Sequence, residues 1–516
     1  MKSPEELRRE FADDPASLAQ YACQLQAQLA EAHAYIAELK RQLFGSKADH
    51  LTPEQEEQLR QLTGDVQDQA GRPPPLSQEV LEAVAAAHDQ AKPQGARRPQ
   101  PPPVKLETRR EVLEPEDKDC THCHQERPRI GQETTTAYDY EPAKLVVHEI
   151  VRPKYGPCDC GGGQAGVVIA PLPPRLVPQS KLGLGLAVYI LLSRFDDHVA
   201  YYTLERIFRE RHGAIIPRQQ MVQWVEKIAF LLLAIYYLIW EELAAGDYLQ
   251  VDETPVKVLD PEVQGKAATG YLWFYSRPKG DVFLEYCDSR GRDSPQQRLG
   301  KFKGTIQTDA YAVYESLRRE RPTSLRRLGC LSHVRRRYHK ALLESSTEAI
   351  WFIAQIRQLY RIEDEVRDAS PQVRKAVRLQ QAPSLWRALK RRALELQAQS
   401  GFLPQSSLGK AVNYFLKEYT ALVGYLRDGR FEIDNNLVEN DVRPSVVGRK
   451  RWLFIGHPDA GWRSAVIYTI IQSCRRRGIN PQEYLTDVLS RLPAMKNHEV
   501  QALAPSRWKP QSANAQ

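Results

Sequence analysis

Hydrophobic residues open the chain at alternating spacings of four and three: Leu18, Ala22, Leu25, Leu29, Ala32, Ile36, Leu39 and Leu43. This seam predicts a heptad helix within residues 1–62 that pairs chains as a coiled coil. The competing reading is an amphipathic helix folded back on its own domain. The pattern then stops. Residues 63–105 turn to Gly, Gln, Ala and the triplets Pro73-Pro-Pro and Pro101-Pro-Pro. Such a composition buries too little apolar surface to offset chain entropy and predicts a flexible linker. Apolar residues return with helical period over 179–246. The longest apolar run, Ile228 to Trp240, lies between Glu226-Lys227 and Glu241-Glu242. It falls short of the roughly 20 residues of a bilayer crossing, so it predicts a buried helix and no membrane partner.

Beyond Gly246 the pattern changes to strands. Strands are predicted at Tyr248–Val258, Tyr271–Ser276 and Val282–Cys287, then a helix near Ser294–Leu299 and a strand at Thr305–Thr308. Gly329-Cys-Leu-Ser-His-Val-Arg-Arg-Arg-Tyr-His-Lys reads as a fifth short strand running into a basic helix. Residues 347–428 are rich in helix formers and predict an all-helical insertion between a first part of the core, 247–346, and its last part, 429–495. Residues 496–516 read as a disordered tail.

A length of 516 residues implies two to four domains. The net charge of +8 is modest, but Arg335-Arg-Arg, Lys390-Arg-Arg, Gly448-Arg-Lys-Arg and Arg475-Arg-Arg concentrate it. Several such clusters around acidic residues read as a phosphate track, although each alone is an ordinary solvated helix face. Met1 to Asp14 is charged rather than apolar, so a cytoplasmic protein is expected.

Of 8 cysteines, four fall in close pairs, Cys120-Thr-His-Cys123 and Cys158-Asp-Cys160. They flank short strands such as Lys144-Leu-Val-Val-His-Glu-Ile-Val and predict a small zinc-ribbon-like module over 106–178, since zinc prefers four thiolate or imidazole ligands. The single-residue spacer of the second pair strains that reading. His122 or His124 could replace a sulfur, and four reduced structural cysteines are the alternative. Within 179–246, Tyr202 to Gly213 and Ile216 to Val225 resemble a helix-turn-helix, with Pro217 at the first helical position and Arg218, Gln219 and Gln220 exposed for the major groove.

The candidate chemistry lies in three acids. Asp252 in Leu249-Gln-Val-Asp-Glu-Thr-Pro and Asp309 in Ile306-Gln-Thr-Asp-Ala-Tyr end apolar runs, and Glu439 follows Asp434-Asn-Asn. Three carboxylates can hold two divalent ions, magnesium or manganese, which activate a hydroxyl and stabilise the leaving oxygen in attack on phosphate. Glu253, Glu432 and Asp441 compete for these roles, and Asp434 could be no more than the cap of the Glu439 helix. Three antiparallel strands, a helix and a further strand, with acids on the first and fourth, is the order of a ribonuclease-H-like fold, in which those two strands are neighbours. The fold class expected is therefore multidomain, mainly α with α/β.

The order of heptad helix, cysteine pairs, Asp-Glu-Thr-Pro, Thr-Asp-Ala-Tyr, Cys330-Leu-Ser-His-Val-Arg-Arg, Asp434-Asn-Asn-Leu-Val-Glu-Asn-Asp-Val-Arg-Pro and Gly448-Arg-Lys-Arg-Trp-Leu-Phe-Ile-Gly resembles the DDE transposases of the insertion-sequence-66 family, from about Leu18 to Leu485. The resemblance implies that Asp252, Asp309 and Glu439 are the metal-binding triad and that Cys330 and His333 brace the site. It places Asn435, Asn436, Arg443, Arg449 and Lys450 near the DNA backbone, with Trp452 packed behind them, and adds Arg335 and Arg336 of the basic helix to the phosphate track. Asn440 stands where the family more often has arginine, and the compressed cysteine pair puts zinc in doubt. The expected activity is recognition of terminal inverted repeats, cleavage at the element ends and joining to target DNA. Homo-oligomers and small accessory transposition proteins would be partners, and the location the nucleoid. A catalytically inactive DNA-binding regulator and a structure-selective nuclease are the rival readings.

Overall fold

A computed structural model describes residues 144–155, 168–171, 174–263 and 266–510, together with Glu82. The heptad helix, the linker apart from Glu82, and all four paired cysteines, Cys120, Cys123, Cys158 and Cys160, lie outside the described residues. The expected strand at 144–151 does not form. Instead the short strands β1 (Lys154–Tyr155) and β2 (Val168–Ile169) pair antiparallel.

Four helices follow: α1 (Leu184–Phe195), α2 (Tyr201–His212), α3 (Arg218–Leu231) and α4 (Leu233–Ala244). Gly213 ends α2 in the left-handed conformation at φ 63°, which a residue without Cβ adopts freely. Pro217 is the N-cap of α3 rather than its first helical residue. The apolar run predicted as one buried helix is two, bent by 48° at Leu232. Ile228, Leu232, Ile235 and Ile239 remain fully buried across that bend, so packing against the rest of the core holds the kink. Among the described residues no single helix is long and apolar enough to cross a membrane.

The central sheet contains β3 (Tyr248–Val258), β4 (Ala268–Ser276), β5 (Val282–Cys287), β6 (Gly304–Gln307) and β7 (Leu325–Leu328) in the order β5-β4-β3-β6-β7. The first three pair antiparallel, while β6 runs parallel to β3 and β7 parallel to β6. The first and fourth of these strands are neighbours, as expected. Helices α5 (Asp293–Leu299) and α6 (Ala312–Glu320) make the crossovers. The fifth strand lies earlier than predicted. Leu325-Arg-Arg-Leu328 forms it, with the leucines buried, whereas Gly329 and Cys330 only lead into α7 (Leu331–Ala341).

Helices α8 (Ser346–Glu365), α9 (Pro371–Gln397) and α10 (Ser407–Val423) form the insertion. They share a core of their own with α7, in which the Tyr338 and Phe352 rings stack at 4.2 Å and Trp386 is buried beside Phe415. The chain returns through α11 (Asn436–Trp452), α12 (Gly461–Arg476) and α13 (Pro481–Arg491). Helix α12 covers the edge strand β5: Ser473 Oγ and Thr469 Oγ1 accept from the backbone N–H groups of Val282 and Leu284 at 3.2 and 2.9 Å. Those two polar residues sit inside a buried helix because they satisfy edge groups that would otherwise have no partner. Residues 496–510, expected to begin a disordered tail, are ordered: Val500 and Leu503 are buried, and the Trp508 indole donates to Asp487 at 2.8 Å.

Candidate active site

Two buried glutamines set the geometry. Gln250 on β3 faces Gln307 on β6, and its amide donates to the Gln307 side chain at 3.0 Å and to the Asp434 carbonyl at 3.0 Å. The Gln307 amide donates in turn to the carbonyls of Gly329 at 3.1 Å and Glu432 at 2.8 Å. The sheet thereby grips both loops that launch helices toward the acids, the one before α7 and the one before α11.

Asp252 and Asp309 each lie two positions beyond the last paired couple of β3 and β6, Gln250 and Gln307. Asp252 ends the apolar run but not the strand, because β3 continues along β4 to Val258, the predicted bound. Asp309 does follow the end of β6, where one of its side-chain oxygens accepts from the Tyr311 N–H at 2.9 Å. Glu439 occupies the first turn of α11. Burial pushes the Asp252 carboxyl up to about 7, and the neighbouring charges of Glu253, Glu439 and Asp309 add to that shift. Carboxylates from three distant segments thus repel one another across one small region, and a divalent cation relieves such crowding.

Glu439 is held on both oxygens. His333 Nε2 donates to Oε1 at 3.2 Å, and Arg336 reaches Oε2 at 3.1 Å, with Ser332 Oγ at 3.5 Å from Oε1. The His333 hydrogen bond, helped by Arg336, keeps this carboxyl below its usual range despite burial. Cys330 is the N-cap residue of α7, and its Sγ accepts from the Asn435 N–H at 3.2 Å.

The rival acids are committed elsewhere. Glu253 is bound by Arg290 at 2.5 Å and by the Tyr314 hydroxyl at 2.7 Å. Glu432 is bound by both terminal nitrogens of Arg374 at 3.2 and 2.9 Å. Asp441 is buried against Ser276 at 3.2 Å, with Arg476 at 3.7 Å. Asp434 is not the cap; Asn435 is. Buried Asp434 instead accepts from the Tyr360 hydroxyl at 2.7 Å and from the Asn436 N–H at 3.0 Å, which fixes the turn ahead of Glu439.

The residues expected near DNA divide. Arg336, Asn436, Arg443 and Lys450 are exposed, and Arg335 is half-buried over the Tyr360 ring. Arg449 donates to Thr254 at 3.2 Å and to the Pro255 carbonyl, so it braces α11 against β3. Asn435 is 2% exposed and spends its amide on the Val251 carbonyl at 3.0 Å, which leaves it no surface to offer a phosphate. Trp452 packs on the Arg194 guanidinium at 4.8 Å. Arg218 and Gln219 are exposed and Gln220 half-buried at the start of α3, a helix packed on α1, α2 and α12. Four contributors escaped sequence reasoning: Ser332, Tyr360, Arg290 and Tyr314. Ser332 stands inside the basic-helix motif beside His333, but nothing local marks the other three.

Residues 179–463 match the model of the Transposase IS66 family, and residues 469–506 match that of the IS66 C-terminal element. The chain belongs to the IS66 transposase family. Similar proteins of Sinorhizobium fredii (strain NBRC 101917 / NGR234) agree in extent. The uncharacterized protein y4qI is 32% identical over 84% of this chain and 82% of its own length. The uncharacterized protein y4jD is 30% identical over 77% of this chain and 80% of its own length. Membership in a transposase family implies DNA binding, nucleotidyl transfer and use of a divalent metal by this IS66 transposase.

Proposed function

We propose that this transposase binds the terminal inverted repeats of an insertion sequence, cleaves DNA at the element ends and joins the freed 3'-hydroxyls to a target. Asp252 and Asp309 would be shared by two divalent cations, with Glu439 completing the shell of one. The observation that carries this reading is the convergence of these three carboxylates while Glu253, Glu432 and Asp441 are all engaged by other side chains. The sheet order supports it, being that of a ribonuclease-H-like core with acids on its first and fourth strands. The donor set fits magnesium or manganese, which prefer carboxylate oxygens and leave room for substrate phosphate.

Bound there, the ions would supply an activated hydroxyl and neutralise the leaving oxygen. The chain's own residues do the rest. Asp252, pushed up to about 7, is only partly ionised near neutrality and would lose its remaining proton on becoming a ligand. Were Glu439 to turn to a cation it would release Arg336, whose exposed guanidinium could then take a DNA phosphate. Exposed Arg443 and Lys450 continue this track along α11. The α2–α3 pair and the cysteine pairs would read the repeat, and the heptad helix would pair the two ends.

The test uses labelled repeat DNA and a supercoiled target in magnesium or manganese. Asp309→Asn is expected to abolish joining and to retain end binding. Joining by that variant would refute the triad. Binding without cleavage by the parent, with or without accessory proteins, would favour a regulator, and cleavage that never joins would favour a nuclease.

A further inference from the structure

Cys330, His333 and Glu439 offer a sulfur, an imidazole nitrogen and a carboxylate oxygen that all lie within 4.8 Å of one another. We propose that these three residues bind one borderline-soft divalent ion of the zinc class and thereby withdraw Glu439 from the hard cations used for catalysis. The proposal depends on the preceding reading only in sharing Glu439.

Zinc holds sulfur at about 2.3 Å and nitrogen or oxygen at about 2.0–2.2 Å, so tetrahedral ligands stand roughly 3–4 Å from one another. His333 Nε2 and Glu439 Oε1 already stand at 3.2 Å. Arg336 occupies the other oxygen, Oε2, and leaves Oε1 directed at the histidine. Burial, with the nearby Asp434 and Glu439 charges, pushes the Cys330 thiol up to about 12, so an incoming ion would have to displace its proton; the Asn435 N–H, 3.2 Å from Sγ, and the Ser332 hydroxyl at 3.0 Å would then stand as donors to the sulfur. Backbone positions hold this set without an ion, since Gln307 ties down Gly329 and Gln250 ties down Asp434. Thiolate and imidazole select zinc or cobalt over magnesium. Three protein ligands leave a fourth position open, as in sites that take water or a substrate oxygen. His333, which braces Glu439 in the metal-free chain, and Cys330 beside it are therefore also a selective trap, and zinc should inhibit joining even in excess magnesium.

The test is a titration of full-length, chelator-stripped protein with cobalt(II), whose thiolate complexes absorb in the near ultraviolet. Counted by the thiolate band in excess magnesium, which occupies the carboxylate site, the parent and Asp252→Asn are expected to bind the same number of cobalt equivalents, zinc to displace them, and Cys330→Ser to bind one equivalent fewer. The comparison isolates this site from the cysteine pairs at 120–123 and 158–160, which are unchanged in the variant. Should Cys330→Ser fail to fold, His333→Asn, at a half-buried position, is expected to lose the same equivalent. An unchanged stoichiometry and thiolate band in either folded variant overturns the proposal. Cobalt binding through Cys330 in a chain that never joins DNA would refute the proposed function and leave this site standing. Joining without such binding would do the reverse.

Discussion

The Tyr360 hydroxyl donates to the Asp434 carboxylate at 2.7 Å and so ties the first helix of the insertion to the turn that starts the Glu439 helix. A hydrogen bond to a charged group contributes about 1.5–3 kcal/mol. Tyr360→Phe should loosen that turn and lower joining by roughly 10- to 100-fold at limiting metal. Higher magnesium should recover much of the loss, and DNA binding should be unchanged. A magnesium titration of the joining rate decides the matter, and an unaltered metal dependence would remove Tyr360 from the site's support.

Asp252 makes the metal-free protein sensitive to pH. Its folded carboxyl, pushed up to about 7, stands above the roughly 3.9 of an unfolded chain. Between about pH 4 and 7 the folded state keeps a proton that the unfolded state has lost, so stability falls as pH rises through that window and levels off above it. Asp252→Asn should match the parent in thermal unfolding near pH 4 and exceed it near pH 8, by roughly 2–4 °C for each kcal/mol relieved. Magnesium should stabilise the parent more at pH 8 than at pH 6.

In the insertion, Arg378 is 0% exposed and donates to Glu363 at 2.8 Å while lying over the Tyr425 ring. Arg378→Met would leave the Glu363 charge without its closest partner, and denaturant unfolding should register a loss of about 3–5 kcal/mol. Adding Glu363→Gln should recover most of it.

Exposed Lys450 and Arg443 are expected to touch phosphate without reading sequence. Lys450→Ala and Arg443→Ala should each weaken binding to any duplex and reduce the salt dependence of affinity by about one ion. Asn435→Ala should lower thermal stability and leave the salt dependence alone, because that side chain bridges α11 and β3.

The strands containing Leu249, Val251, Phe274 and Phe283 were legible because near-continuous runs of apolar, β-branched and aromatic residues mark a sheet covered on both faces. Strand β7 was not. Its two central residues are arginines, and nearly buried Arg327 is satisfied by Glu418, far along the chain on α10, at 2.5 Å, by Glu315 at 3.4 Å and by the Asp309 carbonyl at 3.1 Å. The three acids stood out as residue types in motifs, and so did Cys330 and His333. That Asp252 lies within its strand followed from the predicted run Tyr248–Val258, but that rival Glu253 is occupied by Arg290 and Tyr314 depends on partners from other elements that no local pattern announces. Asn435 misled for the same reason: a polar residue beside a catalytic candidate reads as exposed until the fold supplies the Val251 carbonyl beneath it.

The matched overhang of Asp252 and Asp309 beyond the Gln250–Gln307 pair gives the chain one dimension that tolerates no editing. Removing a single residue between Gln307 and Asp309 would draw that carboxylate back by about 3.3 Å and turn it to the opposite face. The insertion is far freer. It leaves and rejoins the core through main-chain bonds from Gly329 to Ala421 and from Leu331 to Ile433. Length added at the tip between α9 and α10 would pass unnoticed by the acids. Variation among functional copies should therefore accumulate as insertions at that tip, while the count of residues from each glutamine to its aspartate stays constant.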